Sequence, residues 1–249
     1  MKVIGLITGG KDSLYNLWMC AESGHQLVAV ANLKPPAGVD ELDSYMFQSV
    51  GCDGVAYVAK AVGLPLFQGI IKRKSVALDQ DYRPIPEDEV EDLFDLLSKV
   101  KLEVGATAVS VGAILSKYQK NRVESVCARL NLHCLSYLWQ RDQQELLKKM
   151  IDNSFEMIFI KVAALGLTPV RHLGKPVKKF FMELIKLNEQ FGFNICGEGG
   201  EYESFVVDCP LYRKRIVIDQ SEVRIHSNDA FAPVGYLRLN QLHLEEKHS

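Results

Sequence analysis

Five short apolar runs, each followed by a stretch of helical spacing, organise the first half of the chain. They lie at residues 3–7, 26–33 ("QLVAVANL"), 66–71, 108–111 and 133–136. Between them apolar residues recur at three- and four-residue steps. Leu14, Leu17, Trp18 and Ala21 do so before Gly24, and Val90, Leu93, Phe94, Leu97 and Val100 do so after the acidic opening Pro86-Glu87-Asp88-Glu89. Further helices are expected over residues 44–62 and 116–131. Near-continuous apolar runs belong to strands covered on both faces, and their alternation with helices predicts a doubly wound α/β domain around a five-stranded parallel sheet.

Near residues 138–140 the pattern changes. A helix (142–153), a strand (157–165) and a longer helix (173–192) precede a glycine-rich loop and two β-rich runs, 215–226 and 234–242. The expected division is a nucleotide-type domain over 1–137 and a second, smaller α/β domain over 138–249. No Pro-, Gly- or Ser-rich linker separates them, so close packing around a cleft is expected. A chain of 249 residues, 47% hydrophobic, suffices for both cores.

Charge and cysteine usage narrow the functional classes. With 29 basic and 31 acidic residues the net charge is −2, which lacks the basic footprint of a nucleic-acid binder. No apolar run approaches the roughly 20 residues that span a bilayer, and no membrane partner is expected. The N-terminus enters a strand pattern at once, unlike a signal peptide. The six cysteines are scattered without close pairs, as free thiols in a reducing compartment would be. A cytoplasmic location follows as the expectation.

Three segments carry candidate chemistry. The first is "TGGKDS", residues 8–13, between the first strand and the first helix. Gly9 and Gly10 let the backbone turn and approach a ligand, while the helix start offers free N–H groups and a positive dipole end. Lys11 adds a charge, Ser13 a hydroxyl, and Asp12 a carboxylate able to place a magnesium ion. An ordinary Gly-Gly turn capped by Asp12 or Ser13 is the structural alternative. Neither the Walker pattern nor the dinucleotide GxGxxG is present.

The second segment is "VSVGAILSKYQKNRVE" (109–124). If the strand order is 3-2-1-4-5, strands one and four meet where the winding reverses, and ligands bind beyond such switch points. Gly9-Gly10 would then face Gly112-Ala113. Arg122 is placed either to reach a phosphate or to pair with Glu124 or Asp142. The third segment, "CGEGGEYESFVVDCP" (196–210), gathers Glu198, Glu201 and Glu203 around glycines and Tyr202. Such crowding suits a metal or a cationic ligand, or else a solvated acidic turn before a strand. Cys196 and Cys209, without nearby histidines, are a weak zinc pair.

"TGGKDS" resembles the SGGxDS motif of the PP-loop ATP pyrophosphatases, with Thr8 in place of the usual first serine. Taken with "ANLKP", "ELDSYMFQSVG", "EVEDL", "SVGAILS", "LSYLWQR", "KVAALGL" and "GEGGEYE", in that order, the chain is similar over residues 1–245 to the diphthine–ammonia ligases of that superfamily. The departures are Thr8 and the stretch 74–84. Some family members carry C-terminal extensions, and the functions of those extensions are not carried over.

The resemblance implies a HUP-like sheet of order 3-2-1-4-5 and an enzyme that amidates diphthine on elongation factor 2, using ATP, Mg2+ and ammonium. Thr8, Gly9, Gly10, Lys11 and Ser13 would hold pyrophosphate, with magnesium near Asp12. Adenine would lie along Ala31 and Asn32 beside Gly112. Diphthine's trimethylammonium would meet Glu198, Glu201, Tyr202 and Glu203, with Trp139, Asp229 and Phe231 adding to that site. Two alternatives remain at this point: another PP-loop enzyme acting on tRNA, and a nucleotide-binding sensor without turnover. Balanced charge and the absence of CxxC speak against the first.

Overall fold

The five apolar runs are strands β1 (Lys2–Leu6), β2 (Gln26–Lys34), β3 (Leu66–Ile70), β4 (Ala108–Ser110) and β5 (His133–Leu135). They come from a computed structural model that describes residues 1–36, 38, 46–48, 50–227, 229 and 231–247. All four pairings are parallel and the order is β3-β2-β1-β4-β5. Helices α1 (Lys11–Glu22), α2 (Val55–Val62), α3 (Val90–Val104) and α4 (Lys117–Arg129) connect them. The order expected from the sequence is therefore the order observed, with the winding reversing between β1 and β4.

Helix faces follow the apolar spacing. Leu14 and Leu17 of α1 and Val90, Leu93, Leu97 and Val100 of α3 are sealed from solvent, as are Val3, Ile4 and Val109 of the sheet. The start of α4 is capped by Ser116, whose side chain accepts the Gln119 N–H at 3.3 Å. Only the second half of the expected 44–62 helix forms. Gly51, at φ 82°, leads into a 3-10 turn at Cys52–Gly54 and then α2. Residues 46–48 and 50 are not helical, while 44, 45 and 49 lie outside the described residues, as does most of "ELDSYMFQSVG".

By packing, the chain divides into two units. One comprises Met1–Thr8, Asp12–Val55 and Leu64–Trp139; the other comprises Gly9–Lys11, Ala56–Gly63 and Gln140–Ser249. The second contains α5 (Gln143–Asp152), β6 (Glu156–Val162), α6 (Pro169–His172), α7 (Phe181–Phe191), β7 (Tyr202–Asp208), β8 (Lys214–Ser227) and β9 (Val234–Glu246). Its strands form an antiparallel sheet of order β7-β6-β9-β8. The single helix expected over 173–192 is broken. Pro176 has no N–H to donate and disfavours helical backbone at Lys175, so a 3-10 turn (Val177–Phe180) intervenes before α7.

Gly112 follows β4 and touches the start of α1 inside the first unit. A Cβ built there would lie 2.6 Å from the Asp12 carbonyl carbon and the Ser13 nitrogen. These are backbone atoms that cannot swing aside. Gly112→Ala is therefore expected to lower stability by about 1–3 kcal/mol, as overpacking does. Urea denaturation reads this, and an unchanged midpoint would show that the two segments do not meet so closely.

Candidate active site

The turn between β1 and α1 is set by its neighbours in the first unit. The Ile7 N–H donates to the Ala31 carbonyl at 3.0 Å, and Asn32 Nδ2 donates to the Ile7 carbonyl at 2.9 Å. Gln68 Nε2 in turn donates to Asn32 Oδ1 at 3.1 Å. Ala31 and Asn32 are buried, and these bonds use them to fix the end of β1. Beyond it, Ser13 Oγ accepts the Thr8 N–H at 3.4 Å and Thr8 Oγ1 donates to Gln48 Oε1 at 3.3 Å. Gly9 turns the chain at φ 87°, a conformation that favours glycine. Asp12 lies in the first turn of α1, where the dipole favours an anion.

Lys11 does not point outward as a free phosphate ligand. Within the second unit its backbone N–H donates to Ser204 Oγ at 3.2 Å, and its ammonium donates to the Cys196 carbonyl. The same ammonium sits 5.2 Å from the centre of the Tyr202 ring, and the residue is only 2% exposed. The Gly9 carbonyl also accepts the Val206 N–H at 2.9 Å. Residues 9–11 are thus joined to β7, and "GGK" and "GEGGEYES" form one local structure.

The acidic segment is organised by Asn194, a residue the sequence reading passed over. Its side-chain oxygen accepts the Glu198 N–H at 3.1 Å, and its carbonyl accepts the Gly197 N–H at 2.8 Å. Its own N–H donates to Glu201 Oε1 at 3.0 Å. Gly197 stands at φ 76°, and a Cβ there would meet the Tyr202 carbonyl oxygen at 2.6 Å. No periodicity or charge pattern marks Asn194, because its role is local turn hydrogen bonding within residues 194–201. Ser204 and Gln48 were missed because their bonds, to Lys11 and Thr8, join segments distant in sequence.

The four residues expected to receive a cation do not act alike. Tyr202 is buried, with its hydroxyl on the Ile195 carbonyl at 2.8 Å, Phe193 stacked at 6.3 Å and Phe159 edge-on at 4.9 Å. The cation over its ring is the chain's own Lys11. Glu203 faces Lys161 across the β6–β7 pair, 3.4 Å away. Glu201 keeps one buried carboxylate oxygen, Oε2, without a hydrogen-bond partner among the described residues. Glu198 is half-buried on the turn itself.

The remaining candidates have surroundings of their own. Arg122 is fully buried and donates to the carbonyls of Tyr118, Ala77 and Asp79, the first and last at 3.1 and 3.0 Å. Its guanidinium lies against the rings of Tyr118 and Tyr82. It holds the 77–79 segment instead of a phosphate, and Glu124 is paired with Lys120 rather than with Arg122. Trp139 packs on the first unit's core, 5.0 Å below the Lys120 ammonium. Asp229 accepts the N–H groups of Phe231 (2.8 Å) and Ala232 (2.9 Å), which hold its carboxyl below the usual range, while Phe231 is exposed. Among the described residues no group of three or more His, Cys, Asp or Glu side chains is gathered as for a metal ion.

A doubly wound sheet of this order, with Gly-Gly-Lys-Asp-Ser closing its first strand, defines a PP-loop-type nucleotide-binding protein. The family model described as "Diphthamide synthase N-terminal domain" matches residues 1–134, and that described as "Diphthamide synthase C-terminal domain" matches residues 142–239. The chain belongs to the diphthamide synthase family. It is 55% identical over 249 residues to a diphthine–ammonia ligase of Danio rerio, covering 99% of this chain and 98% of the relative. To that of Homo sapiens it is 53% identical over 250 residues, covering 99% and 94%. A Schizosaccharomyces pombe diphthine–ammonia ligase is 49% identical over 240 residues, covering 96% of this chain and 39% of that longer protein.

The buried ammonium of Lys11 yields a direct test. Lys11→Met keeps the packing of the stem but leaves the Cys196 carbonyl without this donor. A loss of about 1–3 kcal/mol is expected in urea denaturation, the cost of an unsatisfied buried group. A variant as stable as the parent would show that the lysine does not anchor the turn.

Proposed function

We propose that this protein converts diphthine on elongation factor 2 to diphthamide in the cytoplasm, using ATP and ammonium. The turn between β1 and α1 carries the proposal. It combines a glycine at positive φ, a helix N-terminus and two hydroxyls at the switch point of a 3-2-1-4-5 sheet, in a chain of this family. No helix among the described residues is long and apolar enough to cross a membrane.

Ammonia does not displace oxide from a carboxylate, so the diphthine carboxylate must first gain a leaving group. Attack of its oxygen on the α-phosphorus of ATP forms an acyl–AMP bond and releases pyrophosphate. Ammonia then attacks the acyl carbon, the amide forms, and AMP leaves with the electron pair of the broken bond. The protein's part is positioning and charge stabilisation. The N–H groups of the turn at Gly9 and Gly10 and of the start of α1 would cradle pyrophosphate, with the Thr8 and Ser13 hydroxyls beside them. Magnesium fits a single carboxylate, Asp12, because this ion is usually completed by phosphate oxygens and water. The base would lie beside Gly112.

Trimethylammonium has no N–H to donate. A carboxylate oxygen that lacks a hydrogen-bond partner, such as Glu201 Oε2, therefore suits it as counter-charge, with Glu198 on the same turn. Tyr202, already facing Lys11, is left out of this role.

The proposal predicts one AMP and one amide per turnover, only when ATP, ammonium and diphthine-bearing factor are all present. ADP as product, AMP release that needs tRNA instead, or binding without turnover would each overturn it. Asp12→Ala is expected to lower kcat by about 10²–10³ with an unchanged unfolding midpoint. Glu201→Gln is expected to raise KM for the factor about tenfold while KM for ATP stays the same. A change in both constants would assign Glu201 to magnesium instead.

A further inference from the structure

β8 is an outer strand of its sheet. It pairs with β9 on one side, and among the described residues no strand pairs with the other. Residues 219–226 are exposed without alternation, so both faces of this segment are open as well as its edge. Val223 is 44% and Ile225 52% exposed. An open edge of this length is a template for another strand unless it is guarded, most often by lysines. Residues 219–227, "DQSEVRIHS", contain none, and between the shifts of register at 218–221 and 225–227 the stretch 221–225 pairs regularly with β9.

The charges here have a specific arrangement. Glu222 and Arg224 flank Val223 on one face and pair with each other at 2.9 Å, each about half exposed. Lay a second β8 antiparallel against the first with Val223 opposite Val223. Glu222 then stands opposite Arg224 of the second copy, and Arg224 opposite its Glu222. Antiparallel registers centred one residue away oppose like charges instead, Glu222 to Glu222 or Arg224 to Arg224. In the matched register Ser221 faces Ile225, and the apolar pivot lies on the two-fold axis. The segment is complementary to itself, as a two-fold isologous interface requires.

We infer that this chain forms a two-fold dimer in which two copies of β8 pair edge to edge through the regular stretch 221–225, centred on Val223. The two four-stranded sheets become one, and the Glu222–Arg224 pairs close across the junction.

Analytical ultracentrifugation of the full chain over a dilution series tests this, with thermal unfolding to verify that each variant is folded. The parent is expected to sediment as a dimer. Glu222→Arg or Arg224→Glu alone opposes like charges and should weaken dimerisation at least about tenfold. The double exchange, Glu222→Arg with Arg224→Glu, restores complementarity and should restore the dimer. Val223→Cys should cross-link to itself under mild copper-catalysed air oxidation. A parent that is monomeric throughout, single variants that dimerise like the parent, or a double variant that stays monomeric would each overturn the inference.

Discussion

The buried ammonium of Lys11 is the interaction on which the candidate site depends. A lysine removed from water is costly unless its charge is met. Here the Cys196 carbonyl and the Tyr202 ring meet it, while Ser204, 193 residues along the chain, accepts its backbone N–H. Satisfying that charge fixes where residues 9–11 run beside β7 within the second unit. "GGK" and "GEGGEYES" are better understood as one structural element with a sequence gap than as two sites.

Other buried polar side chains extend the same logic through the first unit. Asn16, fully buried one turn into α1, donates to Ser110 Oγ at 2.7 Å and to the Leu135 carbonyl at 2.8 Å, and accepts the Tyr137 N–H at 2.7 Å. One amide thus ties α1 to the ends of β4 and β5. Asp88 does the equivalent before α3, accepting the N–H groups of Val76, Ala77 and Val90 at 2.8–3.0 Å. Loops beyond the carboxyl ends of these strands are held by buried groups hydrogen-bonded inside the protein, without large apolar contacts.

The sheet was legible in the sequence because burial on both faces leaves an unmistakable apolar signature. Strand order came with the family resemblance and not from the apolar runs themselves, and the sheet has that order. The breaks were less legible. Apolar spacing ran through Pro176 and through the region before Gly51, and it reports burial without reporting backbone continuity. At the candidate site the sequence marks segments, while the partners of individual side chains are visible only in the fold. A tyrosine among glutamates advertises a cation, yet nothing local says that the cation is Lys11. Arg122 looked available for phosphate because carbonyl acceptors, present at every residue, leave no mark in a sequence.

That last point has an evolutionary consequence. The clamp formed by Arg122, with the Tyr118 hydroxyl on Ala77 and Asn121 on Gln80, grips the 77–80 segment by its carbonyl oxygens. Every amino acid supplies such an oxygen, so the grip is blind to which residues occupy the segment. Substitutions there can accumulate while the path of the chain is preserved. The grip covers residues 77–80 only: Tyr82, two residues on, is held by its side chain, which lies against the Arg122 guanidinium and donates to Glu91 at 3.2 Å, so the same freedom does not extend to it.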